Sequence, residues 1–358
     1  MARLWGSIFI LVFFSLVSSL ELVSSASEVT SSRSKAIASF QSWVDRVGAN
    51  HSAFENTAKS SGSTGDLSRK VAEGVIVVDQ SGAGHYKTIN EAINAVPLHN
   101  KYAVTIKVNP GIYIERVMVP KSKWRITLQG SGRDVTKITS RNAAGDTGTT
   151  YTTSTFGVSA PYFTARNITF EQQAVALRTT GDFNAFYGCA FLGQQDTLYD
   201  DRGRHYFKES LIVGSVDFIF GDGKSLYQNC ELRVLPSSGG SLTAQKRLSF
   251  SEDTGYSFVN CKITGSGPST VYLGRAWGPY SRVVFAYSEF ADIINPVGWY
   301  NWADPARERT VFYGQYKCFG PGANEASRVG WSVELTDAQA APFMTLGYID
   351  GGLWVTEE

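Results

Sequence analysis

The chain has 358 residues, 43% of them hydrophobic and only 18% charged, with a formal net charge of +1. That is ample apolar material for a large core, and the near-neutral balance excludes recognition of nucleic acid or a membrane surface through an overall field. Four cysteines (Cys189, Cys230, Cys261 and Cys318) and four scattered histidines have no metal-ligand spacing, which excludes a zinc centre.

The N-terminus opens with Met1-Ala2-Arg3, an apolar run from Leu4 to about Val17, and small residues ending near Ser25-Ala26. A basic start, an apolar centre and small residues before a cut site read as a secretory signal peptide over residues 1–26. The apolar run is too short for a comfortable membrane span, so a secreted protein with no membrane contact after signal removal is expected. Secretion permits disulfides and makes Asn50-His51-Ser52 and Asn167-Ile168-Thr169 candidate glycan acceptors. Residues 27–70 are Ser-rich and polar. Within them, 34–59 is compatible with one amphipathic helix, followed by a Gly62-Ser63-Thr64-Gly65 linker.

The globular domain is expected over residues 71–358. Val75-Ile76-Val77-Val78 is a buried-strand run. Residues 86–96 read as a helix with Pro97 beyond its end, placed to cap the open end of a coil.

A repeat then governs the chain. Segments centred on Ile168, Cys189, Ser210, Cys230, Cys261 and Ser288 share one pattern, and their steps are 21, 21, 20, 31 and 27 residues. Near-constant steps followed by longer ones describe one structural rung with loops inserted into later turns, the signature of a solenoid. The segments are short and rich in Val, Ile, Phe, Tyr and Thr, with no 3.6-residue stripe, so the rungs are strands. The fold class expected is all-β, a single-stranded parallel β-helix, with rungs from Ala103 to about Phe290. Residues 325–354 are expected to pack back on the coil. Asn167 falls within a predicted rung, where access would be restricted. Cys230 and Cys261 occupy the same position on successive turns, as a disulfide or as two small buried hydrophobes.

The same period organises the polar residues. Asp196 and Asp217 are 21 residues apart, and Gln173 and Gln195 are 22 apart. Stacked strands lie ~4.8 Å apart, so the two carboxylates would share one site and their pKa values would split into acid and base roles. The same spacing also suits an internal amide and carboxylate ladder. Further on, Arg275 and Trp277 share a strand face, able to hold a carboxylate and stack on a sugar, or to pack on each other. Gly82-Ala83-Gly84 and Gly130-Ser131-Gly132 lack the context of phosphate loops and read as turns. No Gly-x-Ser-x-Gly elbow is present.

In order along the chain stand Gly111-Ile112-Tyr113-Ile114-Glu115, Gln173-Ala174-Val175-Ala176-Leu177, Gln195-Asp196-Thr197-Leu198, Asp217-Phe218-Ile219-Phe220-Gly221 and Leu273-Gly274-Arg275-Ala276-Trp277. Over roughly residues 71–355 the chain resembles the plant pectinesterases. The resemblance implies a right-handed parallel β-helix that removes methyl groups from the galacturonan esters of cell walls. It implies Asp217 as nucleophile, Asp196 as proton donor and base, Gln173 and Gln195 as oxyanion donors, Arg275 as the cation that keeps Asp217 charged, and Trp277 and Thr150 as substrate contacts. It implies no cofactor and no metal, a monomer in the cell wall, methyl-esterified homogalacturonan as substrate and a proteinaceous inhibitor as a further partner. The stretch before Gln173 is shortened to Glu171-Gln172, Ala276 stands where proline is common, and the 44 residues between signal peptide and enzyme are too few for the family's inhibitor-like domain. A galacturonan-binding protein and a backbone-cleaving glycosidase or lyase are the alternatives.

Overall fold

The computed structural model describes residues 74–140, 153–237, 239–267 and 270–356. The signal peptide, residues 27–70, Asn50 and Thr150 lie outside the described residues.

Every strand pairing is parallel, and the strands stack into one sheet of 11 and two of 8. The chain visits the three sheets in turn, so each circuit adds one strand to each, giving a right-handed parallel β-helix. One eight-stranded sheet bears on function and is called the cleft sheet. It contains Leu177–Thr179, Leu198–Asp200, Ile219–Gly221, Gly240–Gln245, Val271–Arg275 and Trp299–Tyr300 in consecutive rungs.

The sequence repeat is present, but its physical basis is a corner rather than a strand centre. Asn167, Gly188, Glu209, Asn229, Asn260, Tyr287 and Lys317 all have φ between 49° and 57°. All but Lys317 separate a strand of the long sheet from one of the third sheet. The side chain after each corner points inward, so Ile168, Cys189, Ser210, Cys230, Cys261 and Ser288 form one buried column. The serines cap the backbone of the rung before: Ser210 Oγ accepts from Cys189 N at 3.2 Å, and Ser288 Oγ from Cys261 N at 3.1 Å. Cys318 follows the next corner, so all four cysteines belong to this column. Cys230 and Cys261 are free thiols here. Asn167 is on the corner itself and is exposed, correcting the expectation that a rung would restrict it.

A second column explains why the steps recur. Phe186, Phe207, Tyr227, Phe258 and Phe285 stack inside the coil with successive ring centroids 4.8, 4.6, 4.5 and 4.5 Å apart. All are fully buried. Parallel register places like residues on like residues, so one aromatic per rung builds a continuous stack.

The helix expected over 86–96 is confined to Ile89–Ala95. Thr88 forms a capping box with Glu91, while Tyr86 bridges to Val78 instead of joining the helix. Ile89, Ala92 and Ile93 are buried against the first strands. The rungs continue past Phe290, through Phe312–Tyr316 to Val333–Glu334. The final residues form Asp337–Ala340 and short 3-10 turns and pack back on the coil, where Ser257 donates to Phe343 O at 2.7 Å and Arg204 pairs with Asp350 at 3.0 Å.

Candidate active site

Asp196 and Asp217 sit at the corners that lead into neighbouring strands of the cleft sheet. The bridge between Gln195 and Val216 sets them in register. Their amides continue the ladder, with Asp196 N donating to Val216 O at 3.1 Å and Asp217 N to Ser241 O at 2.8 Å. Thr197 and Phe218, which follow them, are fully buried. Alternation along each strand then brings Tyr199 and Phe220 to the outer face, three residues after each aspartate.

Arg275 stands two rungs beyond Asp217. Its Nε donates to Asp217 Oδ1 at 2.6 Å, and Nη2 pairs with Oδ2, giving a bidentate clamp. The guanidinium also lies 4.2 Å from the ring centroid of Trp302. Gly274, just before Arg275, lets the turns on either side pack closely, because a Cβ there would meet Thr243 Oγ1 at 2.4 Å and the Trp299 ring at 3.1 Å.

Burial pushes the Asp196 carboxyl up to about 6, the negative charge of Asp217 adds to this, and Arg275 opposes it. The two carboxylates therefore feel each other, as the winding period requires. Asp217 is also raised by burial, and its bond and charge attraction to Arg275 only partly offset that. Arg275 lowers the Asp217 carboxyl, as a bidentate cation should, but burial outweighs it and the net direction is upward. The asymmetry between the acids survives, because Asp217 alone has the bidentate partner. That asymmetry favours Asp196 over Asp217 as the holder of a shared proton.

Gln173 and Gln195 are both exposed at the rim. Gln173 O accepts from Gln194 N at 2.9 Å and from Gln195 N at 3.3 Å, which ties the two segments together. Their side-chain amides have no hydrogen bond to a described residue and are available as donors. The adjacent Gln172 turns inward instead and accepts from Thr155 Oγ1 at 2.6 Å, anchoring the shortened stretch before Gln173.

Trp277 belongs to a separate apolar cluster outside the coil, formed by Val175, Tyr199, Phe220, Ala244, Trp277 and Trp302. Tyr199 and Phe220 are stacked 4.4 Å apart. Arg307 fixes the turn at Trp277, donating to Ala276 O and, at 2.9 Å, to Trp277 O. Sequence reasoning missed Tyr199, Phe220 and Trp302 as part of this surface. The first two had a signal, since an aromatic stands three residues after each aspartate. Trp302 had none, because an irregular loop brings it in. Aromatic faces beside paired carboxylates suit a sugar polymer whose reacting group is acidic or esterified.

The Pectinesterase family pattern matches residues 75–352. The chain belongs to the pectinesterase family. Among relatives, Pectinesterase QRT1 of Arabidopsis thaliana is 45% identical over 300 residues, spanning 78% of this chain and 78% of that protein. Pectinesterase 31 of Arabidopsis thaliana is 43% identical over 294 residues, spanning 77% of this chain and 92% of that protein. The pectin methylesterase from carrot superposes with a TM-score of 0.75 at 36% identity, covering 80% of this chain and 96% of the carrot chain. The Aspergillus niger pectin methylesterase gives 0.69 at 30% identity, covering 79% of this chain and 97% of that chain. In this pectinesterase, no helix of the described residues is long and apolar enough to cross a membrane.

Proposed function

We propose that the protein hydrolyses the methyl esters of cell-wall homogalacturonan, releasing methanol and leaving free galacturonate carboxylates. Asp217, oriented by Arg275, attacks the ester carbonyl. The acyl–enzyme anhydride forms as the methoxy group leaves. Asp196 gives its proton to the departing methanol, then takes one from the water that opens the anhydride. Gln173 and Gln195 donate to the oxyanion, each such donor being worth ~3 kcal/mol in a transition state. Trp277 and, on the resemblance alone, Thr150 contact the sugar.

The observation that carries this reading is the unequal pair: one carboxylate clamped by Arg275, its neighbour on the next turn raised to about 6. A carboxylate beside a carboxylic acid is the minimum for nucleophilic ester cleavage in which the departing methoxy oxygen is protonated to methanol. The free side-chain amides at the rim favour acyl chemistry over backbone cleavage, which would have no use for oxyanion donors.

The proposal includes the route to the substrate. Residues 1–26 direct secretion and 27–70 form a polar lead into a catalytic domain over 71–358, which acts in the wall as a monomer and is open to a proteinaceous inhibitor. The exposed corner at Asn167 is accessible for glycan attachment. The deciding experiment is methanol release from methyl-esterified pectin by the purified secreted protein. Asp217→Asn should abolish it while leaving the circular dichroism spectrum unchanged; retained turnover in that variant would refute the nucleophile assignment.

A further inference from the structure

The cleft sheet hands the chain to the long sheet through a second set of corners. Arg125, Tyr162 and Phe183 occupy three of them in succession, with φ of 52°, 57° and 65°. Carried back by one or two residues, the register of the long sheet sets Arg125 beside Tyr162, Tyr162 beside Phe183 and Phe183 beside Arg204. The same register sets Tyr102 beside Trp124 in the neighbouring column. The side chains follow it. The Arg125 guanidinium lies 5.1 Å from the centroid of the Tyr162 ring, Tyr162 stacks on Phe183 at 4.9 Å, and the Arg204 guanidinium lies 4.1 Å from the Phe183 centroid. The result is a column of cation, ring, ring and cation, one side chain per turn of the coil.

Bulky side chains rarely take positive φ, and such strained placements cluster at sites that bind or react. These rings are also in water: Tyr102, Trp124 and Tyr162 are 59%, 37% and 40% exposed. They are held in place all the same. Asn100, itself buried, donates to Tyr102 O at 3.0 Å and to Trp124 O at 2.5 Å, and Trp124 Nε1 donates to Lys121 O at 2.7 Å. The charge here is one-sided. Lys101, Lys121 and Arg125 are exposed and, among the described residues, have no salt bridge. Asp182 and Asp350, the carboxylates beside the column, are both bound by Arg204.

Exposed aromatic faces beside unneutralised cations suit a polymer of sugar acids, whose C–H faces lie on the rings while its carboxylates meet the cations. We propose that this corner is a second galacturonan-binding surface, separate from the cleft, and that it takes de-esterified polymer. The choice of polymer rests on the esterase reading above. The column stands where the chain leaves the cleft sheet, whereas Asp196 and Asp217 stand where it enters. Phe183 is on the turn before Asp196, and Tyr162 and Arg125 are on the turns before that. A fully esterified stretch offers no charge to these cations, so the surface anchors the protein to polymer that carries free carboxylates.

The test measures the Kd of the purified secreted protein for de-esterified polygalacturonate. Beside it stands kcat/KM for methanol release from a methyl-esterified hexagalacturonate, which reports on the cleft and on folding. Arg125→Gln and Tyr162→Ala should each raise the Kd about three- to fivefold, the size expected of one partly exposed cation or ring contact. Trp124→Ala combined with Tyr162→Ala should raise it about tenfold. In all of these, kcat/KM on the hexamer should stay within about twofold of wild type. Salt at 0.5 M should weaken wild-type binding more than that of Arg125→Gln. An unchanged Kd in the double variant would overturn the assignment. So would a parallel loss on the hexamer, because the effect would then belong to the cleft or to the fold. Equal sensitivity of fully esterified polymer to Arg125→Gln would overturn the carboxylate as the recognised group. A wild type that releases no methanol from the hexamer is a different failure, that of the esterase reading itself.

Discussion

Asp196 and Asp217 adopt the same left-handed backbone, with φ of 49° and 48°, at equivalent corners of consecutive turns. Positive φ is uncommon outside glycine, and aspartate is among the residues that tolerate it best. The shared corner sets both carboxylates outward over one sheet, while the residues that follow them plunge into the core. Because their backbones match, the two acids differ only through their surroundings. Arg275 reaches Asp217 with two bonds, and Asp196 has no such clamp among the described residues.

The clamp on Asp217 depends on the planar fork of arginine. Arg275→Lys keeps the charge but offers a point donor in place of two parallel bonds. We expect kcat for methanol release to fall at least tenfold, with KM changed less, since the loss falls on the geometry of the attacking oxygen. Steady-state kinetics on esterified pectin check this; a change in KM alone would contradict it.

Acid–base roles predict the pH profile. Asp196 must hold its proton for methanol to leave, and its carboxyl titrates at about 6. Turnover should therefore decline as pH rises through about 6, and decline again at low pH as Asp217 becomes protonated. Asp217→Asn removes a neighbouring negative charge and leaves Arg275 uncompensated, so the Asp196 pKa should drop below its wild-type value. Carbon-13 titration of the Asp196 carboxyl in that inactive variant measures the coupling directly. An unshifted Asp196 would mean the pair does not communicate.

Behind the cleft, Asp200 is fully buried and binds His205 Nδ1 at 2.5 Å and the Tyr227 hydroxyl at 2.6 Å. His205 Nε2 in turn lies 2.9 Å from Gly181 O. This network anchors the strand that presents Tyr199. Asp200→Ala strands two polar partners in the core and should cost ~3–5 kcal/mol of stability. Denaturant unfolding tests it, and a cost under ~1 kcal/mol would show that the network relaxes.

Phe207 is sandwiched between Phe186 and Tyr227 in the internal stack. Phe207→Ala opens a cavity in the middle of a parallel ladder that cannot close without breaking register. A loss of ~3–5 kcal/mol is expected, read from chemical denaturation. The proposed catalytic residues are on the outer face, so activity per folded molecule should be largely retained.

The winding period was legible because parallel stacking makes every rung repeat the same demands. The steps between Ile168, Cys189, Ser210, Cys230, Cys261 and Ser288 gave the solenoid, and the same step between Asp196 and Asp217 gave the paired acids. The motif nevertheless marks corners, where its sequence pattern reads as strand centres. A left-handed residue leaves no hydrophobic signature, and among these corner residues Asn167, Gly188, Asn229 and Asn260 alone hint at one. The rungs after Phe290 escaped notice because irregular loops hide the period there.

By itself the sequence determined the coil, its pitch and the chemistry placed on it, since local alternation and a fixed repeat need no distant information. Only the tertiary structure decided the balance of forces at the site. How deeply Asp217 is buried against how closely Arg275 approaches it, and which side of the cleft receives Trp302, depend on residues brought together from separate turns. Those energies follow from distance and dielectric, and neither is written in a linear string of residues.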